Sequence, residues 1–106
     1  MVQQISVQTL KQWLDEGKDF TLLDVREDNE VTFACISRSQ HIPMQLIPIR
    51  HNEIDDSKPL VIYCHHGMRS YQTGLYLANM GFEDIFNVQG GIDAWSVEID
   101  PSVPRY

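Results

Sequence analysis

Cys64, His65, His66, Gly67, Met68 and Arg69 follow one another directly after the apolar run Leu60-Val61-Ile62-Tyr63 and lead into a helix-like stretch. A thiol thus stands where a buried strand ends, and a guanidinium where a helix begins. A loop in that position can turn its backbone N–H groups inward around an anion, and the helix N-terminus adds positive potential. Both favour thiolate over thiol, so Cys64 is expected to give up its proton readily and act as a nucleophile. Gly67 suits a loop that needs a positive φ or a close backbone approach. Arg69 reads either as a grip on an anionic substrate group or as a cap that fixes the loop through its carbonyls. Ser70 is expected to turn its hydroxyl back toward the loop and the Cys64 sulfur. His65 and His66 read as loop side chains that raise local potential when protonated. No metal is expected, because adjacent residues rarely converge on one ion and no second ligand pair is spaced to help.

The elements that must hold this loop alternate along the chain. Ile5 closes a short extended start; Ser6 can cap a helix whose Leu10, Trp13 and Leu14 share one face, with Gly17 ending it. Residues 20–25 read as a buried strand. Glu27, Asp28 and Glu30 suit a first helical turn, with Val31, Phe33 and Ala34 as its short apolar face. Pro43 and Pro48 restrict the chain between them to an extended piece and a turn or short helix. Leu60–Tyr63 is the clearest central strand. The following helix is expected from Arg69 or Ser70 to Gly81, with either Tyr71, Leu75 and Ala78 or Gly74, Leu77 and Met80 facing inward. Ile85–Val88 is a last strand, Gly90-Gly91 a turn and 92–95 a short helix, before a non-helical tail marked by Pro101 and Pro104. Strands separated by helices imply an α/β architecture with a mostly parallel sheet covered on both faces.

Composition narrows the function classes. The 106 residues suit one domain, 1–106, and 42% hydrophobic with 22% charged content is ordinary for a folded protein. A formal charge of −7 argues against nucleic acid or an anionic membrane as partner, since both need a basic face. No apolar stretch is long enough to span a bilayer, and the opening residues lack a secretory pattern, so a cytoplasmic location is expected. In that setting Cys35 and Cys64 read as free thiols, Cys35 as a small apolar filler. No Asp or Glu falls between Ser57 and Phe82, which leaves the segment around Cys64 free of carboxylates and favours local anion attraction. Trp13 and Trp95 read as core.

Three blocks resemble the rhodanese (thiosulfate sulfurtransferase) homology domain, and the likeness covers nearly the whole chain. Residues 22–27, Leu-Leu-Asp-Val-Arg-Glu, are similar to its early strand. Residues 63–70, Tyr-Cys-His-His-Gly-Met-Arg-Ser, are similar to its active-site loop. Gly81-Phe82 and residues 87–95 are similar to its closing block. The resemblance implies a single rhodanese-like domain with a five-stranded sheet. It also implies sulfur transfer through a Cys64 persulfide, from a small donor (thiosulfate or a persulfide) to cyanide or a thiol. No cofactor is implied, and a monomer or weak dimer is the expected assembly. Asp24 and Arg26, two apart on a strand end, are implied to buttress the active loop. Met68 sits where some relatives carry a basic residue, which leaves the donor open.

Two features refine the resemblance. Between Cys35 and Pro43 the family's usual glycine is replaced by Arg38, so this turn is expected to take another shape. Four residues separate Cys64 from Arg69, whereas the phosphatase and arsenate-reductase relatives have five; the tighter loop favours sulfur over phosphate. A module that senses or binds without turnover is the remaining alternative.

Overall fold

The computed structural model describes residues 1–106. Its elements are β1 (Val2–Ile5), α1 (Val7–Asp15), β2 (Thr21–Asp24), α2 (Asp28–Phe33), β3 (Gln40–His41), α3 (Ile47–Arg50), β4 (Leu60–Tyr63), α4 (Met68–Asn79), β5 (Ile85–Val88) and α5 (Gly91–Glu98), with 3-10 turns at Met44–Leu46 and His51–Glu53. The five strands pair in the order β1-β5-β4-β2-β3, and every pairing is parallel. The chain is therefore a single α/β domain with a wholly parallel sheet.

Leu60–Tyr63 is apolar throughout because both of its faces are covered. Val61 and Tyr63 point into one core with Leu10, Ile92 and Trp95, while Leu60 and Ile62 point into a second with Ile47 and Leu77. The alternation of side chains along a strand makes that division. Helices α1 and α5 cover the first face, and α3 and α4 the second. Ser6 caps α1 as expected, its hydroxyl accepting from Thr9 N at 3.1 Å. Trp95 is buried, and Trp13 meets Phe20 and Phe86 edge-on.

Several local expectations change in the fold. Helix α4 starts at Met68, earlier than Arg69 or Ser70. Its inward residues are Ser70, Thr73, Gly74 and Leu77, whereas Tyr71, Leu75 and Met80 are exposed. Gly74 faces in because the helix crosses so close to β1 that a Cβ there would lie 3.0 Å from Val2 Cγ2. Phe33 is exposed too, lying edge-on to Tyr106. Cys35 is an exposed free thiol, not a core filler, because Ala34 and Ile36 on either side of it take the inward positions.

The turn at Arg38 also departs from expectation. Arg38 adopts φ +63°, the left-handed conformation for which glycine is usually chosen. Its guanidinium donates to Phe20 O at 2.9 Å and lies 4.7 Å from the centre of the Phe20 ring. Those contacts hold a backbone shape that an L-residue adopts only at some cost.

Candidate active site around Cys64

The sheet delivers Cys64 to its carboxyl edge, where ligands bind in open parallel sheets. Cys64 is 1% exposed and lies at the start of a tight loop ending at α4. Two groups donate to its sulfur: Gly67 N at 3.1 Å and Ser70 Oγ at 3.3 Å. Gly67 caps α4 at φ +109°, which aims that N–H at the sulfur. The hydroxyl of Ser70 turns back on the loop, its single proton shared between the sulfur and Asn87 Oδ1. Asn87 Nδ2 in turn donates to Gly67 O at 3.1 Å and Gln4 Oε1 at 2.9 Å. The Cys64 sulfur is thus tied by hydrogen bonds to β5 and β1.

The other leg of the loop hangs from α5. Ile92 N donates to Cys64 O at 2.9 Å and Asp93 N to His65 O at 3.1 Å. These are first-turn amides that a helix leaves unpaired, here spent on the loop carbonyls. Gly90 and Gly91, both at positive φ, open α5, where a simple turn was expected.

The rim is more strongly paired than the sequence suggests. Arg69 makes no hydrogen bond to the loop carbonyls or the sulfur; its guanidinium makes a two-pronged pair with Glu30 at 2.8 and 2.9 Å. That pairing lowers the Glu30 carboxyl to about 2, against the opposing effect of burial, and raises the Arg69 guanidinium. Tyr106 OH donates to Glu30 Oε2 at 2.8 Å and accepts from Arg26 at 2.9 Å, and burial pushes its own hydroxyl up to about 12. The Tyr106 ring stacks on His65 with centres 3.9 Å apart, and His65 stacks on His66 at 3.9 Å. Burial, then the neighbouring His66, lowers the His65 imidazole. Asp93 approaches His66 Nε2 at 3.8 Å and is held well below the usual carboxylate range by Arg105.

Carboxylates therefore reach the loop although none lies near it in sequence, and the expected local excess of positive charge is offset by Glu30 and Asp93. Asp24 and Arg26 form a fully buried ion pair at 2.6 Å. Arg26 also donates to Ala34 O at 2.6 Å, so the pair anchors the chain after α2 and Tyr106; it makes no hydrogen bond to the Cys64 loop itself.

Cys64, His65, His66, Met68 and Arg69 line a cavity of about 160 Å³ above the sulfur. Met68 projects from its lip, 74% exposed. The fold brings together every loop residue singled out in the sequence. It adds Glu30, Asn87, Asp93 and Tyr106, which sequence reasoning passed over. Glu30 lies in the expected helical turn and Asn87 and Asp93 in the closing family block; nothing in the sequence marks Tyr106 for this role.

A family model for the rhodanese-like domain matches residues 6–98. A protein of Allochromatium vinosum named sulfurtransferase is 41% identical over 96 residues, covering 91% of this chain and 90% of that protein. The thiosulfate sulfurtransferase GlpE of Coxiella burnetii is 29% identical over 96 residues, 90% of this chain and 88% of its own. The crystal structure of a rhodanese-like domain protein from Staphylococcus aureus superposes with a TM-score of 0.84 at 33% identity, covering 98% of each chain. No helix of the chain is long and apolar enough to cross a membrane.

Proposed function

The chain belongs to the rhodanese-like domain family, and from that premise we propose that it is a sulfurtransferase working through a persulfide on Cys64. The observation that carries this reading is the sulfur itself, buried on the floor of a small cavity and met by the Gly67 N–H and the Ser70 hydroxyl. Both are placed to donate to a thiolate, which is the attacking form.

In the first half-reaction the Cys64 thiolate attacks the outer sulfur of a sulfane donor, with thiosulfate as the simplest case. The new bond joins Sγ to that sulfur; the donor's S–S bond breaks and sulfite leaves with its electron pair. In the second half-reaction a thiolate or cyanide attacks the outer sulfur, and the electron pair of the breaking bond returns to Sγ. The terminal sulfur of the persulfide is anionic, so donors aimed into the cavity stabilise it as well. A volume of about 160 Å³ suits such a sulfur and a small donor.

The short loop weighs against the phosphatase and arsenate-reductase reading: four residues separate Cys64 from Arg69, where those relatives have five, and the cavity over the sulfur is only about 160 Å³. The test is a thiosulfate–cyanide assay backed by intact mass. Thiosulfate should add one labile sulfur atom to Cys64, and Cys64→Ser should abolish turnover while the protein stays folded. An adduct on Cys35, or undiminished turnover in the variant, would end the proposal.

A further inference from the structure

Beside the small cavity over Cys64 lies a larger one, of about 400 Å³, that shares His66 and Met68 with it. It falls within the size range of small-molecule sites. None of its nine lining residues is Asp, Glu, Lys or Arg, in a chain that is 22% charged. Four carboxamides, those of Gln4, Gln72, Asn87 and Gln89, line it together with Tyr71. Asn87 is fully committed to Ser70, Gln4 and Gly67. The Nε2 of Gln4 and both ends of Gln72 and Gln89 have no side-chain hydrogen bond within the fold. A carboxamide offers one donor and one acceptor side, the same pair that a secondary amide presents.

From this arrangement we infer that the larger cavity seats the body of a small, uncharged thiol carrying secondary amides, which accepts sulfur from Cys64. The inference rests on the sulfurtransferase reading above and names its acceptor class. The acceptor's thiolate reaches past Met68 and His66 to the outer sulfur of the persulfide. A bond forms between those two sulfurs, the Cys64 S–S bond breaks, and its electron pair returns to Sγ. The acceptor leaves as a persulfide, with no net oxidation or reduction. No lysine or arginine lines the cavity, so a carboxylate on the acceptor meets no permanently charged partner there, only neutral donors and His66. The Ser70–Asn87–Gln4 hydrogen bonds place the floor of this cavity next to the nucleophile.

The experiment loads Cys64 with sulfur from thiosulfate or polysulfide and follows unloading by intact mass. The acceptors are N-acetylcysteine amide, N-acetylcysteine and 2-mercaptoethanol. Rate ratios between wild type and variants cancel the intrinsic reactivity of each thiol. A Gln72→Leu, Gln89→Leu double variant should lower the preference for the amide over 2-mercaptoethanol at least about fivefold, the scale of lost hydrogen bonds to a ligand. Gln72→Lys should shift the preference toward N-acetylcysteine. Ratios within twofold of wild type in both variants overturn the inference while leaving the sulfurtransferase reading standing. If no donor loads Cys64, that reading fails first and the inference falls with it.

Discussion

Gly91 approaches the main chain of Cys64 so closely that a Cβ at residue 91 would lie 2.4 Å from Cys64 O and 2.5 Å from His65 O. Helix α5 can therefore hold the active loop through its first amides only if residue 91 has no side chain. Its φ of +59° adds a second reason for glycine.

Gly91→Ala should destabilise the protein by about 2–4 kcal/mol, from overpacking together with left-handed strain. Gly81→Ala is the control: φ is also positive (+100°), but nothing lies within 4 Å of the added carbon. Its cost should stay near 1 kcal/mol. Urea unfolding of both variants checks the difference, and equal losses would show that the contact with the loop is not what matters.

Ser70→Ala should slow unloading of the Cys64 persulfide by about 10- to 100-fold, on the scale of one hydrogen bond to a charged group, because negative charge returns to Sγ in that step. It also leaves Asn87 Oδ1 without its buried donor, at a cost of about 1–2 kcal/mol. Single-turnover mass spectrometry with wild type, Ser70→Ala and Ser70→Thr separates the two effects, since threonine keeps the hydroxyl. Unloading at the wild-type rate in Ser70→Ala would remove the hydroxyl from the mechanism.

Glu30 sets an acid limit on the rim. Its folded value of about 2 lies below its ordinary 4.5, so the pair with Arg69 stabilises the fold fully above about pH 4.5. That contribution falls away as pH drops through about 2. Glu30→Gln should cost about 1 kcal/mol at pH 7, a modest figure because Arg69 is 35% exposed and solvent screens the pair. The gap between variant and wild type should narrow below pH 4.5 and close near pH 2, as read by denaturant unfolding at several pH values. A gap independent of pH would mean that the carboxylate charge is not the source of the stability.

Arg38 separates strain from contact. Arg38→Ala keeps the positive φ but loses the bond to Phe20 O and the stacking on its ring, and should cost about 1 kcal/mol. Arg38→Gly loses the same contacts but relieves the backbone, so it should come within about 0.5 kcal/mol of wild type. Thermal unfolding of the two variants decides this, and glycine less stable than alanine would refute it.

Much of the architecture was legible before any coordinates. Leu60–Tyr63 read most clearly as a central strand covered on both faces, since four adjacent apolar residues leave no polar side for solvent. The order of strands and helices pointed to the parallel sheet, and the strand–Cys64–loop–helix succession placed the thiol at the carboxyl edge of that sheet. Which face of α4 turns inward was not legible. Its pattern admitted two choices, and packing distance decided: Gly74 lets the helix approach β1, so Tyr71 and Leu75 are left outside.

The sequence by itself determined the chemistry on offer at the loop, because a thiol, a flexible glycine and a helix start are local properties of adjacent residues. Only the tertiary structure decided the charge and the support around them. Glu30 lies 39 residues from Arg69, and Tyr106 lies 76 from Glu30. Asp93 comes to His66 from the start of α5, and Asn87 to Ser70 from the end of β5. Partners so far apart in the chain meet only when the sheet is assembled, so an acid-free window in the sequence became a rim balanced by carboxylates in space.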